Sequence, residues 1–351
     1  MQETEEPDMN QRHTRTGSNT TQRGFSLVEL MIAMLIGLLV TAAVIALVVN
    51  SSRTHNELTK TSRQIENARY ATQLLSDEVR HAGYFGRFFA VPAPTGAALP
   101  DPCDNAGGMG DLRDALEEGL ALHIQAHTNA GELSCLPAAN HRIGADGTGT
   151  DILVVRRAAS MFTRNTAELD ANLFYIQTQP TQMRLDQGSN AATFDLTELG
   201  GAPPAPIHRL HTDIYYLAPC PLLDDPQGTC GNNSQDLPTL MRLRLAPNGQ
   251  WINEPLVEGI EDMRAEFGID NTGDGVPNDY VQMPANPDQW VDVISVRLHL
   301  LARTTEATPE HNDTKVYNLG GVTLGPMNDQ LRRRVFSTTI RLHNPAGRRE
   351  E

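Results

Sequence analysis

Apolar residues are distributed unevenly along the chain, and the N-terminal part shows the clearest pattern. Residues 1–24 are polar, whereas residues 25–49 (FSLVELMIAMLIGLLVTAAVIALVV) are apolar with Glu29 as the single charge. A helix rises 1.5 Å per residue, so this stretch can cross a hydrocarbon core of roughly 30 Å with some tilt. The run is too long for the apolar region of a secretory signal peptide, and no A-x-A-like site follows it. We therefore predict a membrane-embedded helix over residues 25–49.

Residues 50–82 contain neither Pro nor Gly, and their apolar positions recur with a helical period. The apolar stripe consists of Ile65, Ala68, Ala71, Leu75, Val79 and Ala82. Steps of three and four residues place this stripe on one face of an amphipathic helix, and Gly83 supplies a stop. We expect one continuous helix over residues 25–82, roughly 85 Å long, whose second half packs on the rest of the chain. A coiled-coil stalk is the alternative, but the pattern lasts for too few heptads to favour it.

Beyond Tyr84 the chain changes to short segments separated by Pro- and Gly-rich connections. We expect residues 90–110 to form an irregular loop and residues 111–128 to form a short helix. Apolar and polar residues alternate, as they do in half-buried strands, over residues 151–157, 172–178, 212–218, 239–245, 291–301 and 334–342. Such connections favour antiparallel pairing. The predicted fold class is α+β, with the long N-terminal helix packed on a mostly antiparallel β-sheet head over residues 83–351.

The charge balance is acidic, with 28 basic against 43 acidic residues and a formal net charge of −15. Attraction to nucleic acid needs clustered Lys and Arg, so we expect no direct nucleic-acid binding by the bulk surface.

The four cysteines, Cys103, Cys135, Cys220 and Cys230, all follow the apolar run. If that run carries the head out of the cytoplasm, they enter a compartment where disulfides persist. Four cysteines allow three pairings, and proximity favours Cys103–Cys135 and Cys220–Cys230. Four free thiols are the alternative. No C-x-x-C spacing supports a zinc or thioredoxin-like site.

Two groups of residues are candidates for metal chemistry. Asp270, Asp274 and Asp279 lie around glycines and could wrap Ca²⁺ with oxygen ligands, but Val281 stands where an EF-hand needs Glu. A polar turn is the favoured interpretation of this segment. His123 and His127 have zincin spacing on the expected helix, but Ile124 replaces the required Glu. We therefore expect no cofactor, with Ca²⁺ as the alternative.

No catalytic motif is evident in the sequence. The chain contains no G-x-S-x-G and no Walker P-loop, and no G-x-G-x-x-G follows a strand. We therefore expect a protein that works by assembly and not as an enzyme.

The segment RGFSLVEL, residues 23–30, resembles the type IV prepilin processing signal. The resemblance implies that a membrane-embedded prepilin peptidase cuts between Gly24 and Phe25 on the cytoplasmic side, and that the new amino group of Phe25 is methylated. It also implies that the apolar helix survives cleavage and enters the core of a filament. The leader of 24 residues is longer than is typical of the family, and a start at Met9 would shorten it.

The resemblance also implies a role for Glu29. Its carboxylate would pair with the N-terminal amine of a neighbouring subunit and set the axial register of the subunit in the fibre. Removing one partner of a buried pair leaves the other charge uncompensated, at a cost of about 3–5 kcal/mol.

Three segments of the head are similar to the PilW family of minor pilins: RHAGYFG (residues 80–86), VEGIEDM with FGID (residues 257–270) and RRVFSTTIRL (residues 333–342). The family implies a low-abundance subunit of a priming or tip complex that supports pilus assembly, adhesion and twitching motility. The partners would be prepilin peptidase, other minor and major pilins, and the inner-membrane assembly platform. The head would lie in the periplasm of a single-pass inner-membrane protein, and outside the cell after assembly.

Two alternatives remain open at this point. A pseudopilin of a type II secretion system shares the N-terminus, and the head motifs favour the pilus over it. A membrane-anchored periplasmic enzyme or binding protein would show no processing and a ligand-dependent activity.

Overall fold

The computed structural model describes residues 24–89, 94, 98–104, 106–221, 237–246 and 250–349. The chain divides into two compact units, residues 1–56 and 57–351. Helix α1 (Leu27–Arg80) begins in the first unit and ends in the second. The helix that we expected over residues 25–82 is therefore one uninterrupted element that is two residues shorter at each end.

The second unit contains the remaining elements of the described chain. Its short helices are α2 (Met109–Gly119), α3 (Pro287–Val291) and α4 (His343–Gly347). Its strands are β1 (Ile124–His127), β2 (Ile152–Thr163), β3 (Phe174–Thr178), β4 (Met183–Gln187), β5 (Ile207–Ala218), β6 (Thr239–Leu245), β7 (Trp251–Glu258), β8 (Ile260–Ile269), β9 (Asp279–Val281), β10 (Val293–Arg303), β11 (Tyr317–Leu319), β12 (Val322–Leu324) and β13 (Arg333–Arg341).

The strands form two main sheets and one small hairpin. The first sheet has the order β1-β2-β5-β3-β4, and β6 and β7 extend it from β5. The long strand β5 pairs with β3 through its first residues and with β6 through its last ones. The second sheet has the order β13-β10-β8-β9, and β11 pairs with β12. Every strand pair is antiparallel, which confirms the predicted sheet type.

The main core forms where the second half of α1 meets both sheets. Ala68, Ala71, Leu75 and Val79 are fully buried in one cluster with side chains from β2, β5, β8 and β10. The small alanines let the sheets approach the helix closely, and each large apolar side chain contributes about 1.5–3 kcal/mol when it is removed from water. The structure therefore confirms the α+β fold class, with the helix packed on an antiparallel head.

One predicted element is wrong. Residues 111–128 do not form a single helix, because α2 ends at Gly119 and β1 follows it. His127 consequently lies on a strand and His123 lies just before that strand, so the two imidazoles do not share a helix face. The first residues of α2 fall within the segment expected to be an irregular loop.

Candidate functional site

The predicted cleavage site lies at an accessible position beside the start of α1. Gly24 and Phe25 lie just before Ser26 and the first residue of the helix, Leu27, and Glu29 lies in the first turn of the helix. The backbone N–H of Leu30 donates to the carbonyl oxygen of Ser26 at 3.1 Å and closes that turn. Phe25 is 82% exposed, and a Cβ atom added at Gly24 would meet nothing within 4 Å. Nothing in the described chain therefore blocks access to the Gly24–Phe25 peptide bond.

The apolar part of α1 has no cover within its own unit. Every large apolar side chain from Leu27 to Val49 is at least 43% exposed. The helix is long and apolar enough to cross a membrane, by length and composition. The hydroxyl of Thr41 donates to the carbonyl oxygen of Gly37 at 2.7 Å, so this polar group is satisfied inside the helix. Such a surface requires lipid or other apolar helices around it.

Glu29 is the charged exception on that surface. Among the described residues, no basic side chain forms an ion pair with its carboxylate. A carboxylate in apolar surroundings must be neutralised or paired, because the charged form is poorly solvated there. The position of Glu29 one turn from the Gly24–Phe25 bond would place a new N-terminal amine on the same end of the helix.

The motif at residues 80–86 ends α1 and connects it to the sheets. Gly83 has a φ of +72°, and its N–H donates to the carbonyl oxygen of Arg156 at 2.9 Å. A Cβ atom at this position would lie 3.0 Å from Cβ of His123 and 3.1 Å from Cγ of Pro345. The guanidinium of Arg348 in turn donates to the carbonyl oxygen of Gly83 at 3.0 Å. Only glycine fits this combination of backbone conformation and space.

The two later motifs meet at a buried ion cluster. Glu261 of β8 accepts two hydrogen bonds from Arg333 of β13 and lies 3.4 Å from Arg303 of β10. Arg333 also binds Asp313 at 3.0 Å and Asp329 at 2.6 Å. Burial disfavours the charged form of Arg333, but its hydrogen bonds to Asp329 and Glu261 outweigh burial and raise its pKa. The motif residues therefore join three strands of the second sheet, which is a structural role.

The segment proposed as a calcium loop is organised as a turn. The carboxylate of Asp270 accepts hydrogen bonds from the backbone N–H groups of Thr272, Gly273, Asp274 and Gly275, at 2.7–3.3 Å. Burial would raise the pKa of Asp270, but these four donors outweigh it and lower the pKa. Both carboxylate oxygens are thus engaged by the protein itself.

The other two candidate ligands of Ca²⁺, Asp274 and Asp279, also fit a polar turn. Asp274 accepts from the N–H of Val276 at 3.0 Å, and Asp279 is exposed at the start of β9. Across the part of the chain that the structure describes, no group of three or more His, Cys, Asp or Glu side chains has the geometry to hold a metal ion. These contacts support the polar-turn interpretation.

The two candidate histidines are buried and serve in packing. Nε2–H of His123 donates to the carbonyl oxygen of Val293 at 2.6 Å, and burial lowers its pKa to about 3. Nδ1–H of His127 donates to the carboxylate of Glu132 at 2.6 Å, and burial lowers the pKa of this imidazole. The two rings bind different partners.

One disulfide joins two cysteines that both lie in the described part of the chain. Cys103 and Cys135, the pair favoured by proximity, are bonded with their Cα atoms 5.5 Å apart. The bond links the segment at residues 98–104 to the core cluster that contains Ile152 and Tyr216. Cys230 lies outside the described residues, so the Cys220–Cys230 bond stays a prediction.

Sequence reasoning missed polar residues of α1 that fix the helix to the head. Gln64 is buried, and its Nε2 donates to the carbonyl oxygens of Ala302 at 2.7 Å and of Arg332 at 3.0 Å. Glu57 accepts a hydrogen bond from the hydroxyl of Thr308 at 2.6 Å. Gln64 precedes Ala68 of the apolar stripe by four residues, and a polar side chain at such a position is the signal that could have revealed it.

Comparisons with known protein families match two segments of the chain, one around the start of α1 and one in the C-terminal part of the head. The prokaryotic N-terminal methylation motif matches residues 19–45, which include Glu29. The family described as type IV pilus-assembly protein W, PilW, matches residues 229–344, which include Glu261 and Arg333. Neither the curated proteins nor the solved structures gave a match. The matches cover the helix start and the C-terminal part of the head.

Proposed function

We propose that this chain, a pilin-like protein related to the type IV pilus, serves as a minor pilin in a priming or tip complex. In that role it supports pilus assembly, adhesion and twitching motility as a low-abundance structural subunit. One observation carries the proposal. An uncovered apolar helix holds Glu29 one turn from the Gly24–Phe25 bond, within the match to the N-terminal methylation motif, and the chain that follows has a PilW-type segment.

The proposed route begins in the inner membrane, with α1 as a single span and the head in the periplasm. Prepilin peptidase cuts after Gly24 and the amino group of Phe25 is methylated. The subunit then leaves the membrane through the assembly platform and joins other minor pilins and the major pilin. The exposed side chains of Leu27–Val49 support this route, since they suit both lipid and a bundle of similar helices.

The proposed partner of Glu29 is the N-terminal amine of an adjacent subunit. Within the described chain the carboxylate has no ion pair of its own, which leaves it available for this contact. In an apolar bundle the attraction between the two charges is strong because water is excluded. A subunit displaced along the bundle axis would lose that pair, so the pair sets the register.

The pilin-type segments point to a structural protein and not to an enzyme. The motif residues support this, because Glu261 forms ion pairs with Arg303 and Arg333 inside the head. A pseudopilin would share α1 and the processing step. Recovery of the chain in sheared pili would support the pilus, and recovery only with a secretion complex would contradict it.

The variant Glu29→Ala tests the assembly role. We expect normal processing, because the Gly24–Phe25 bond is unchanged, and recovery with partner minor pilins reduced by about tenfold or more, since an unpaired buried charge costs about 3–5 kcal/mol. Co-purification from detergent extracts and quantification in sheared pili measure both effects.

The matched control is Glu66→Ala, which removes the same side chain from an exposed position of α1. The control should assemble like the wild type. Normal co-purification and normal piliation of Glu29→Ala would contradict the register argument.

A further inference from the structure

A cationic cavity lies in the second unit, apart from the proposed assembly residues. Its volume is about 340 Å³. One wall is formed by Thr61 and Gln64 of α1, and the others by the loop before β11 and the first residues of β13. Cavities of this size suit small ligands.

Four Lys and Arg side chains line this cavity, and one of them, Arg333, is paired with Asp313 and Asp329. Lys315 and Arg334 are exposed, and within the described chain neither has an acidic group within ion-pair distance. The guanidinium of Arg334 lies 5.5 Å from the ring centre of Phe336. Arg332 lies 3.6 Å from the carboxylate of Glu57, which it shares with Lys60. The cavity thus holds an excess of positive charge in a chain whose net charge is −15.

The floor of the cavity is fixed by groups that are already satisfied. Asp313 binds Arg333 at 3.0 Å and accepts from the hydroxyl of Tyr317 at 2.9 Å. The backbone N–H of Lys315 lies 3.4 Å from the same carboxylate, so the loop that carries Lys315 is held in place. Gln64 donates to the carbonyl oxygen of Arg332 and holds the opposite wall. The backbone that carries these cationic side chains is therefore held in place by hydrogen bonds. Binding of a ligand would need little backbone rearrangement.

We propose that this cavity binds a phosphate-class dianion through Lys315, Arg332 and Arg334. Guanidinium groups match the geometry of phosphate oxygens, and a lysine ammonium adds a point charge. A single carboxylate would leave most of the excess charge uncompensated, whereas a phosphate monoester carries about −1.5 to −2 at neutral pH. The source is either a free phosphate or a lipid headgroup that carries a terminal phosphate.

In the first experiment, inorganic phosphate is titrated into the full chain in detergent micelles at low ionic strength, and isothermal titration calorimetry measures the binding. We expect saturable binding at one site that weakens as salt is added. Lys315→Gln and Arg334→Gln should each weaken binding by about tenfold, the loss of one charge-assisted contact. Both residues are exposed, so both variants should keep the wild-type melting temperature.

The matched control is Arg87→Gln, which removes one exposed arginine that lies outside the cavity and pairs with Glu198. Its affinity should equal that of the wild type. Equal weakening in the control and in the cavity variants, or no saturable binding at all, would overturn the proposal. Succinate that binds as tightly as phosphate would overturn the choice of phosphate.

A second arm distinguishes the two sources. Phosphatidic acid is added to the micelles, with phosphatidylcholine as the neutral comparison, and inorganic phosphate is used as competitor. Tighter binding of phosphatidic acid, lost in Arg334→Gln, would identify a headgroup. Tighter binding of free phosphate would identify the soluble ion. The outcome is independent of processing at Gly24, so it is separable from the test of the assembly role.

Discussion

Asp151 is a carboxylate in the core of the head, and its environment makes the stability of the fold depend on pH. It is 5% exposed, and one oxygen accepts from the backbone N–H of Ala265 at 2.7 Å. Burial raises its pKa to about 7, and the hydrogen bond from Ala265 and the charge of Arg264 oppose this only in part. The folded state therefore holds a proton that the unfolded state releases at about pH 4.

Because the folded state binds this proton more tightly than the unfolded state, Asp151 makes the fold less stable as the pH rises. Between about pH 4 and pH 7 the folded state binds more protons at Asp151, so the contribution of this group to stability falls as the pH rises. We expect Asp151→Asn to match the wild type near pH 4 and to be more stable by about 1–4 kcal/mol at pH 8. The amide oxygen of Asn can still accept from Ala265.

Urea unfolding of the full chain in micelles, followed by the fluorescence of Trp251 and Trp290, measures this difference. A stability difference between the two proteins that is the same at pH 4 and pH 8 would contradict the assignment.

At the residue scale, sequence reasoning worked where the signal is local. Gly83 could be predicted as the end of α1 because a glycine after a helical stripe is a local pattern, and its φ of +72° agrees. The partners of Glu261 could not be predicted, since they come from strands that are far apart in the sequence. The cleavage site at Gly24 rests on a local motif, and it stays a prediction.

At the scale of elements, Glu261 joins the strands of the second sheet. It binds Arg333 of β13 and Arg303 of β10, and its side chain is 9% exposed. We expect Glu261→Gln to destabilise the head by about 3–5 kcal/mol, because the buried guanidinium groups of Arg303 and Arg333 would each lose a charged carboxylate partner. Thermal unfolding of the full chain, monitored by circular dichroism, measures the loss.

The matched control is Glu254→Gln on β7, where a partly exposed carboxylate pairs with Arg242 and Arg244. Exposed pairs contribute about 0–1 kcal/mol, so this variant should change the melting temperature little. Equal losses in the two variants would contradict a special role for the buried cluster.

Strands were predicted best where one face is apolar and the other is polar. Strand β6 matches its predicted range of 239–245, and the alternation in β10 and β13 also marked their positions. Strand β8 was not predicted, although Met263, Ala265, Phe267 and Ile269 alternate with other residues along it and are buried in the main core. The period-two signal of a strand was therefore present in this segment of the sequence.

Strand β1 was mistaken for a helix because it is too short to show a pattern of its own. It has four residues, all of them buried, and it follows directly after a genuine helix that ends at Gly119. A run of this length carries no period of its own, so the preceding helical pattern was extended across it. The glycine was the available signal for a helix end.

At the scale of the whole molecule, composition divides the chain into an apolar helical part and an acidic head. The first unit presents apolar side chains that nothing in the described chain covers, and the second has its own core. The sequence predicts a long apolar helix followed by a strand-rich region, because these two parts differ in composition. The pairing order of the strands could not be predicted, since it depends on contacts between distant segments.

The central claim is that this chain enters the pilus route by cleavage at Gly24. The most direct test is the N-terminal sequence and intact mass of the membrane-extracted chain, expressed with and without a prepilin peptidase. We predict a peptidase-dependent start at Phe25, with the mass of one added methyl group where the methylating activity is present. An intact leader in both samples, beside a control prepilin that is cleaved, would contradict the account and would leave α1 as a simple membrane anchor.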